Sequence, residues 1–396
     1  MINYCLVERT ILMVILKRLE DYDIEVLKNI IRDSLDDFNI KCKLNKDSKV
    51  FIKTNCVGPF SYELGITTHP IILKATIQVI KEYTNNILVG DNPAIRDISF
   101  TMKKCGLDIV LKEENVNLFD GTIFETITNS NPKLYSTFEV SKQMIDCDLL
   151  INLPKLKTHT LAYMTCAEKN YFGLIYGLNK SGWHIKASNP LDFGNAINDL
   201  YGALLEAMIN KSILNICDGI IGLEGEGPSS GGKTKKANAL LISDDAVSLD
   251  RVALEVVHLD YKKLYINQIA NDRGYGNGNI KTIEIKGNSL EDFDDIHFLA
   301  PKDSISHAGI RLLQWPICRA LFLEHPIINK NKCVGCRECT KICPPKTLKV
   351  RKGKYPSLKT LKCIRCWCCA EVCPQNAIEK SKRPLLGKVL FKTDKK

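Results

Sequence analysis

Residues 333–344 read CVGCRECTKICP, and their cysteine spacing predicts how the C-terminal part of the chain folds. The same cysteine spacing returns thirty positions later as CIRCWCCAEVCP, over residues 363–374. Three closely spaced thiolates let a tight loop wrap one face of an iron-sulfur cube, and the fourth, on the following helix, reaches a second cube. The duplication predicts a small α+β ferredoxin-like domain with two [4Fe-4S] clusters.

The two ligand sets are expected to cross between the runs, because the fourth cysteine of each run ligates the other cluster. One cluster takes Cys333, Cys336, Cys339 and Cys373, and the other takes Cys363, Cys366, Cys369 and Cys343. The alternative is structural zinc, which uses separated Cys-x-x-Cys pairs around a tetrahedral ion and suits three evenly spaced cysteines poorly. Cys368 lies at a non-ligand position, where a packed or exposed thiol is expected.

The segments next to the cysteine runs are short. Residues 347–350 and 355–358 flank Lys352, Gly353 and Lys354, a pattern typical of a short hairpin. Residues 383–391 are apolar and contain no long amphipathic helix, so we expect this tail to dock on the body of the protein rather than on a membrane.

The whole chain has 396 residues, enough for a large domain with a buried core and one small module. Its 17 cysteines indicate thiolate ligands rather than disulfides, because no export signal is evident. The apolar run 11–16 is too short to cross a bilayer and is followed by charged residues. We therefore expect a cytoplasmic protein with no membrane span.

The charge is unevenly distributed along the chain. Residues 326–396 hold 19 Lys and Arg against 4 Asp and Glu, although the net charge of the whole chain is only +10. The basic residues are dispersed rather than grouped, so we expect them to offset anionic clusters and to attract an acidic redox partner, and not to bind nucleic acid.

Upstream of the cysteines, apolar strand patterns alternate with helical patterns, which predicts an α/β domain with a doubly wound sheet of mixed or parallel strands. The predicted strands are residues 11–16, 50–53, 87–90, 149–153, 213–217, 239–243 and 282–285. The predicted helices are residues 24–38, 71–83, 98–105, 192–210 and 245–257.

Polar motifs follow five of these predicted strands, at residues 53–55, 90–93, 152–159, 218–219 and 243–245. Ligands of open α/β sheets bind beyond the carboxyl ends of the strands. The pattern therefore predicts a site at that edge. The alternative is that the loops are polar only because strand ends generally are.

The richest stretch, residues 154–170, supplies Lys155, Lys157, His159 and Lys169, which together suit a carboxylate or phosphate ligand and proton transfer. A solvated charged face is the alternative. Thr68 or His69 is expected to cap a helix that Pro70 starts, and we expect His69 to face the same crevice. With Asp91 in support, these six side chains form the predicted catalytic set.

Residues 227–234 match the phosphate-loop pattern letter for letter. That motif needs a strand just before it and a helix that begins at its lysine. The nearest predicted strand ends at Cys217 and a strand follows, so we do not expect nucleotide hydrolysis. A flexible glycine-rich loop over residues 222–232, covering an anionic ligand, is the preferred interpretation.

Several of these motifs together resemble the DUF362 family, whose members often end in a two-cluster ferredoxin domain. They are Lys53-Thr-Asn55, Thr67-Thr-His-Pro70, Gly90-Asp-Asn-Pro93, residues 152–159, Lys169-Asn170, Phe172-Gly173, Asp218-Gly219, Glu224-Gly-Glu-Gly-Pro228 and residues 244–250. One departure is Thr54, where the family usually has proline. The resemblance implies iron-sulfur redox chemistry in anaerobic metabolism, but no particular reaction.

These observations divide the chain into a DUF362-like domain (1–305), a linker (306–325), a ferredoxin-type domain (326–380) and a basic, apolar tail (381–396). The leading hypothesis is a ferredoxin-coupled oxidoreductase, served by a soluble carrier of the ferredoxin or flavodoxin type. It would act on a small anionic ligand or on a further cofactor, for which flavin stays open. The alternatives are a non-catalytic electron carrier or docking subunit of a redox complex, and a metal-dependent or phosphate-handling enzyme.

Overall fold

The computed structural model describes residues 12–93, 97–176, 182–183, 185, 187, 189–229, 231–301, 315–350 and 355–390. Expectations that concern Ile11, Ser230, linker residues 306–314, the turn 351–354 and the tail beyond residue 390 lie outside this part of the chain.

The large domain is built on a ten-stranded sheet, beside which lies a separate two-stranded hairpin. The strands are β1 (Met13–Arg18), β2 (Val50–Lys53), β3 (Ile87–Gly90), β4 (Asn117–Leu118), β5 (Phe124–Thr128), β6 (Thr137–Ser141), β7 (Leu149–Asn152), β8 (Lys155–His159), β9 (Tyr163–Thr165), β10 (Ser212–Gly225), β11 (Gly232–Ser243) and β12 (Glu284–Gly287). The main path of the large sheet runs β12-β1-β11-β10-β7-β2-β3-β4, and β5 pairs with β6 in the hairpin. Strands β10, β7, β2, β3 and β4 are parallel, and β11 is antiparallel to both of its neighbours.

Helices cover both faces of this sheet. They are α1 (Ile24–Asp37), α2 (Pro70–Ile80), α3 (Ile98–Cys105), α4 (Leu107–Glu113), α5 (Lys142–Ile145), α6 (Ala167–Asn170), α7 (Pro190–Ala207), α8 (Ala246–Val256) and α9 (Tyr265–Asp272). Asp23 caps α1 by accepting the amide protons of Glu25 and Val26, and Pro70 opens α2 behind its cap, His69.

Alternate side chains of the central strands enter two separate cores. Phe51 and Leu150 join a core with α7 and α8, whereas Ile52 and Ile151 join a core with α1 and α2. Burial on both faces explains why these strands are continuous apolar runs. The predicted α/β class with a doubly wound, mixed sheet is confirmed.

Two predictions for the large domain are wrong in detail. The Gly-rich segment 222–232 is not a free loop, because β10 continues to Gly225 and β11 restarts at Gly232 as its antiparallel partner. Lys233 consequently lies in a strand, as the argument against a phosphate loop requires. Residues 155–159 are not a loop either: they form β8, which pairs with the extension of β10.

The C-terminal domain repeats one small unit. Its elements are α10 (Pro316–Phe322), β13 (Pro326–Ile328), α11 (Glu338–Ile342), β14 (Leu348–Lys349), β15 (Ser357–Leu358), α12 (Cys368–Glu371), β16 (Ile378–Lys380) and α13 (Leu385–Leu390). Strands β14 and β15 pair antiparallel, which confirms the predicted hairpin. Left-handed residues recur thirty positions apart, as Gly335 and Arg365, Arg337 and Trp367, and Lys346 and Asn376. Both cysteine runs therefore follow the same path.

The tail docks on the linker helix. Helix α13 packs on α10, and the Cα of Gly387 comes so close to the Phe322 carbonyl that a Cβ would lie 2.0 Å from that oxygen. Arg383 holds the same corner through an ion pair with Glu324 at 2.7 Å. Among the described residues, no helix combines the length and the apolar character needed to cross a bilayer.

Candidate functional site

Four asparagines of the large domain form a hydrogen-bonded chain, which we call the asparagine relay. Its members are Asn55, Asn170, Asn152 and Asn215. Asn55 Nδ2 donates to Asn170 Oδ1 at 2.9 Å, Asn170 Nδ2 donates to Asn152 Oδ1 at 2.7 Å, and Asn152 Nδ2 donates to Asn215 Oδ1 at 2.9 Å. All four side chains are buried, so the amides have little freedom to rearrange.

Backbone carbonyls fix the direction of the relay. Asn215 Nδ2 donates to the Ser243 carbonyl at 3.1 Å, and Asn152 Nδ2 also donates to the Ala167 carbonyl at 3.2 Å. A carbonyl accepts only, so these amide groups have one possible orientation. Donation therefore runs from Asn55 toward Ser243, and no group in the described part of the chain donates to Asn55 Oδ1 at the start.

Two buried lysines at this edge are neutralised by aspartates. Lys53 Nζ lies 2.8 Å from Asp91 Oδ1, and Lys155 Nζ lies 2.7 Å from Asp218 Oδ2. Asp91 also accepts the Cys56 amide proton, and the Tyr22 hydroxyl donates to Asp218. Each cation thus has the paired, hydrogen-bonded environment that buried charges require.

Lys157 differs from both of these lysines. It is fully buried, and its ammonium donates to the Ile66 carbonyl at 2.7 Å. None of the ion pairs among the described residues includes it. Burial lowers the pKa of Lys157 to about 7, and the charges of Lys169 and Lys155 add to the effect.

Lys169, His159 and Glu371 meet where the two domains touch. Burial lowers the pKa of Lys169 and raises the pKa of Glu371, and each offsets part of the shift of the other. His159 Nδ1 accepts the amide protons of Leu161 and Ala162, so the ring proton resides on Nε2. That nitrogen lies 3.3 Å from Glu371 Oε1.

A cavity of about 90 Å³ lies between the domains, and we call it the interdomain cavity. The large domain lines it with Asn55, Cys56, Asp91, Lys157, Thr165 and Lys169, among others. The ferredoxin-like domain closes it with Ile342, Cys368, Glu371 and Val372. The second cysteine run therefore forms one wall of the cavity at the sheet edge.

The cysteines gather in the crossed sets expected from their spacing. Cys333, Cys336, Cys339 and Cys373 line one small cavity. Around Cys369, the cysteines close enough to interact electrostatically are Cys363, Cys366, Cys343 and Cys339. Amide protons of Thr347 and Ala377 point at Cys343 Sγ and Cys373 Sγ, 3.3 and 3.2 Å away, as around cluster sulfurs. These residues fit two cubane clusters.

Of the predicted catalytic set, the structure brings Lys157, Lys169 and Asp91 to the interdomain cavity, and His159 to its rim through Glu371. Lys155 instead lies in the ion pair with Asp218. His69 stacks on Tyr22 with ring centroids 3.6 Å apart, and its Nδ1 caps α2. Burial lowers the pKa of His69 to about 4. The catalytic roles of all six residues stay predictions.

Two predicted strand-end motifs do not reach the cavity. Asp218 lies inside β10, beside a register shift between Gly219 and Ile221, rather than at the end of a strand. Residues 243–245 follow the antiparallel β11, and Asp245 caps α8 through the Val247 amide. The sequence pattern misplaces Asp218 because β10 continues to Gly225, beyond the predicted strand end. It misplaces residues 243–245 because it does not show that β11 runs antiparallel to its neighbours.

A buried carboxylate pair beside the site was not expected from the sequence. Asp250 accepts the amide protons of Ala167 and Glu168 and thereby caps α6, the helix that carries Lys169. Burial raises the pKa of Asp250 to about 7, and burial together with Asp250 raises the pKa of Glu168. In the described part of the chain, no three His, Cys, Asp or Glu side chains gather around a single metal ion.

Comparison with known proteins assigns both domains. The model of the domain of unknown function DUF362 matches residues 50–255, and that of a 4Fe-4S dicluster domain matches residues 325–374. A thylakoid-associated protein of Synechocystis sp. is 30% identical over 215 residues, or 54% of this chain and 64% of that protein. The match thus spans less than two thirds of that relative.

Two solved structures match part of this chain at low sequence identity. The lactate racemase apoprotein of Thermoanaerobacterium thermosaccharolyticum is 17% identical with a TM-score of 0.40, over 62% of this chain and 56% of that one. A structural-genomics protein of Thermotoga maritima is 13% identical with a TM-score of 0.37, over 63% of this chain and 59% of that one.

Proposed function

The chain belongs to the DUF362 family and carries a 4Fe-4S dicluster domain, and from this premise we propose that it is a ferredoxin-coupled oxidoreductase. The eight cysteines of the two crossed sets would hold the clusters, which supply one-electron transfer. The acceptor or donor would be a small anionic molecule in the interdomain cavity.

The observation that carries this proposal is the shared wall of the interdomain cavity. Cys368, Glu371 and Val372 belong to the same short run as Cys369 and Cys373, and they face Lys157 and Asn55 across the cavity. A ligand there would lie directly beside the cysteine set of one cluster. An iron-sulfur domain with a purely structural role would not be expected to form one wall of a polar cavity.

The chain's own residues have separate tasks in this proposal. The positive charges of Lys157 and Lys169 attract the anion, and the pKa of Lys157 near neutrality suits it to give or take a proton. Phe172, Pro228 and Val372 line the cavity and restrict water. The basic surface of the C-terminal domain would attract an acidic carrier of the ferredoxin or flavodoxin type.

The test begins with protein purified and reconstituted without oxygen. Mass spectra of small molecules released on denaturation would identify a ligand, and reoxidation of the reduced clusters by that ligand would measure turnover. Lys157→Met and His159→Asn should abolish turnover and leave the cluster spectrum unchanged, with the exposed Lys233→Met as the control. Full activity in both site variants would refute the proposal.

A docking subunit is the second candidate, and a specific surface favours it. Trp315 and Ile317 at α10 and Leu385 and Val389 on α13 are each 67% or more exposed. Apolar side chains grouped in this way mark interaction sites. A stable stoichiometric complex with a redox enzyme, together with no retained small molecule, would support this alternative.

A further inference from the structure

The charges around the interdomain cavity are incomplete. Lys53 and Lys155 have aspartate partners. Among the described residues Lys157 forms no ion pair and donates to the Ile66 carbonyl. Asp91 and Glu371 act on Lys157 as nearby negative charges, and Lys169 adds a second positive charge. An unpaired buried cation is costly unless a negative group comes within contact distance. The cavity is therefore complementary to an anionic oxygen beside Lys157.

The same cavity also presents unused hydrogen-bonding atoms. Asn55 is 5% exposed, and no donor of the described residues reaches its Oδ1. Thr165 is 4% exposed, and its hydroxyl likewise has no partner there. Because the asparagine relay fixes the amide of Asn55, its oxygen cannot exchange places with its nitrogen. A ligand that brings a hydrogen-bond donor into the cavity would satisfy it, as an ordered water would.

Size and charge narrow the ligand class further. The volume of about 90 Å³ is smaller than the 150 Å³ cavity that accepts benzene, so the interdomain cavity suits a small ligand. An ammonium donor would be repelled by Lys157 and Lys169, whereas a hydroxyl would not.

We propose that the interdomain cavity binds a small hydroxycarboxylate, with its carboxylate at Lys157 and its hydroxyl donating to Asn55 Oδ1. Glycolate and lactate are small molecules that combine a carboxylate with a hydroxyl group. The inference rests on the proposed function only in taking this cavity as the ligand site, and it concerns binding alone.

Calorimetric titration of the full-length, cluster-loaded protein with three matched probes tests it. Glycolate has both groups, acetate lacks the hydroxyl, and glycolamide lacks the charge. We expect acetate to bind about tenfold or more weakly than glycolate, since it leaves Asn55 Oδ1 unsatisfied, and glycolamide about a hundredfold more weakly. Equal affinity for glycolate and acetate, or no binding of glycolate, would overturn the proposal.

Two variants locate the contacts. Asn55→Ala should weaken glycolate to the level of acetate and leave acetate unchanged, whereas Lys157→Met should weaken both. Lys233→Met, on the exposed hairpin, should change neither. If Asn55→Ala does not fold, the three-probe comparison on the unaltered protein still decides. Glycolate binding without any electron transfer would refute the oxidoreductase proposal and keep this one, and electron transfer to another ligand would do the reverse.

Discussion

At the scale of single residues, the environment of each lysine differs more than its sequence pattern suggests. Lys155 and Lys157 are two positions apart on β8 and both are buried, yet one is paired with Asp218 and the other is held by a backbone carbonyl. The partner, and not burial alone, decides whether the charge is stable. Substitution of the two lysines should therefore change the stability of the protein in different ways.

We predict opposite stability effects for two equivalent substitutions. Lys155→Met should lower the free energy of unfolding by about 3–5 kcal/mol, because Asp218 would be left as a buried carboxylate without its cation. Lys157→Met should leave it unchanged or raise it, because it removes an unpaired buried charge. Urea unfolding of both variants measures this, and an equal loss in both would contradict our description of the two sites.

We predict that anion binding at the cavity weakens as the pH rises above about 7, the pKa of Lys157. Asp91 and Glu371 raise this pKa, and Lys155 and Lys169 lower it. Above about pH 7 the free protein loses the ammonium that the ligand needs, so affinity should fall about tenfold per pH unit. Titrations with glycolate between pH 6 and 9 measure the slope.

The same pKa acts on folding with the opposite sign. The unfolded chain keeps the proton of Lys157 up to its ordinary pKa of about 10.4, whereas the folded chain releases it near 7. Between these values the unfolded state binds more protons, so this lysine makes stability rise with pH. Lys157→Met should remove that part of the rise, and an identical pH profile in the variant would contradict the lowered pKa.

At the scale of elements, the site depends on β8 and the β10-β11 hairpin lying close together. The turn of the hairpin crosses β8 so closely that a Cβ on Gly227 would lie 2.1 Å from the Thr158 carbonyl oxygen. The Thr160 amide donates to the Gly227 carbonyl at 3.2 Å, which ties the turn to the chain beyond β8. Pro228, next in the turn, lines the interdomain cavity.

We predict that Gly227→Ala weakens ligand binding without loss of clusters. The added methyl must push the turn away from β8, at a cost of about 1–3 kcal/mol, and Pro228 moves with it. Lys233→Ala on the same hairpin is exposed and should have no effect. The measurements are glycolate titration and iron content, and unchanged affinity in Gly227→Ala would show that the turn does not shape the cavity.

At the scale of the whole molecule, the C-terminal domain is both a cluster carrier and a wall of the site. The contacts include His159 with Glu371, and Glu226 with Lys380 at 2.5 Å. Within the cluster domain, the last cysteine of each run crosses to the other half. Removal of the last cysteine of one run should therefore impair the cluster of the other run.

We predict that Cys373→Ala impairs the cluster of the first run, although the residue lies in the second. Iron analysis and electron paramagnetic resonance should show one cluster lost or degraded and one retained, because Cys373 gathers with Cys333, Cys336 and Cys339. Cys368→Ala, in the same run but outside both sets, is the control and should keep about eight irons. Loss of the second-run cluster in Cys373→Ala would disprove the crossed assignment.

Features that depend on local residue spacing were predictable from the amino-acid sequence alone. The cysteine runs predicted two repeated units, and β2, β3 and α3 begin and end at the residues that their apolar patterns predict. Such patterns are enough to locate an element, because core-facing side chains recur with the period of a helix or of a strand. The predicted lysines 157 and 169 also reach one cavity, since β8 and α6 both follow β7 closely.

Which buried polar groups find hydrogen-bond partners, in contrast, depends on the folded chain. Asp218, which neutralises Lys155, lies 63 residues away in sequence. The asparagine relay joins three separate elements and the loop after β2. Residues 152–159 suggested a loop because buried lysines are rare in strands. These lysines can be buried only because carboxylates and carbonyls from distant parts of the sequence pair with them. Such pairing arises only when the chain is folded.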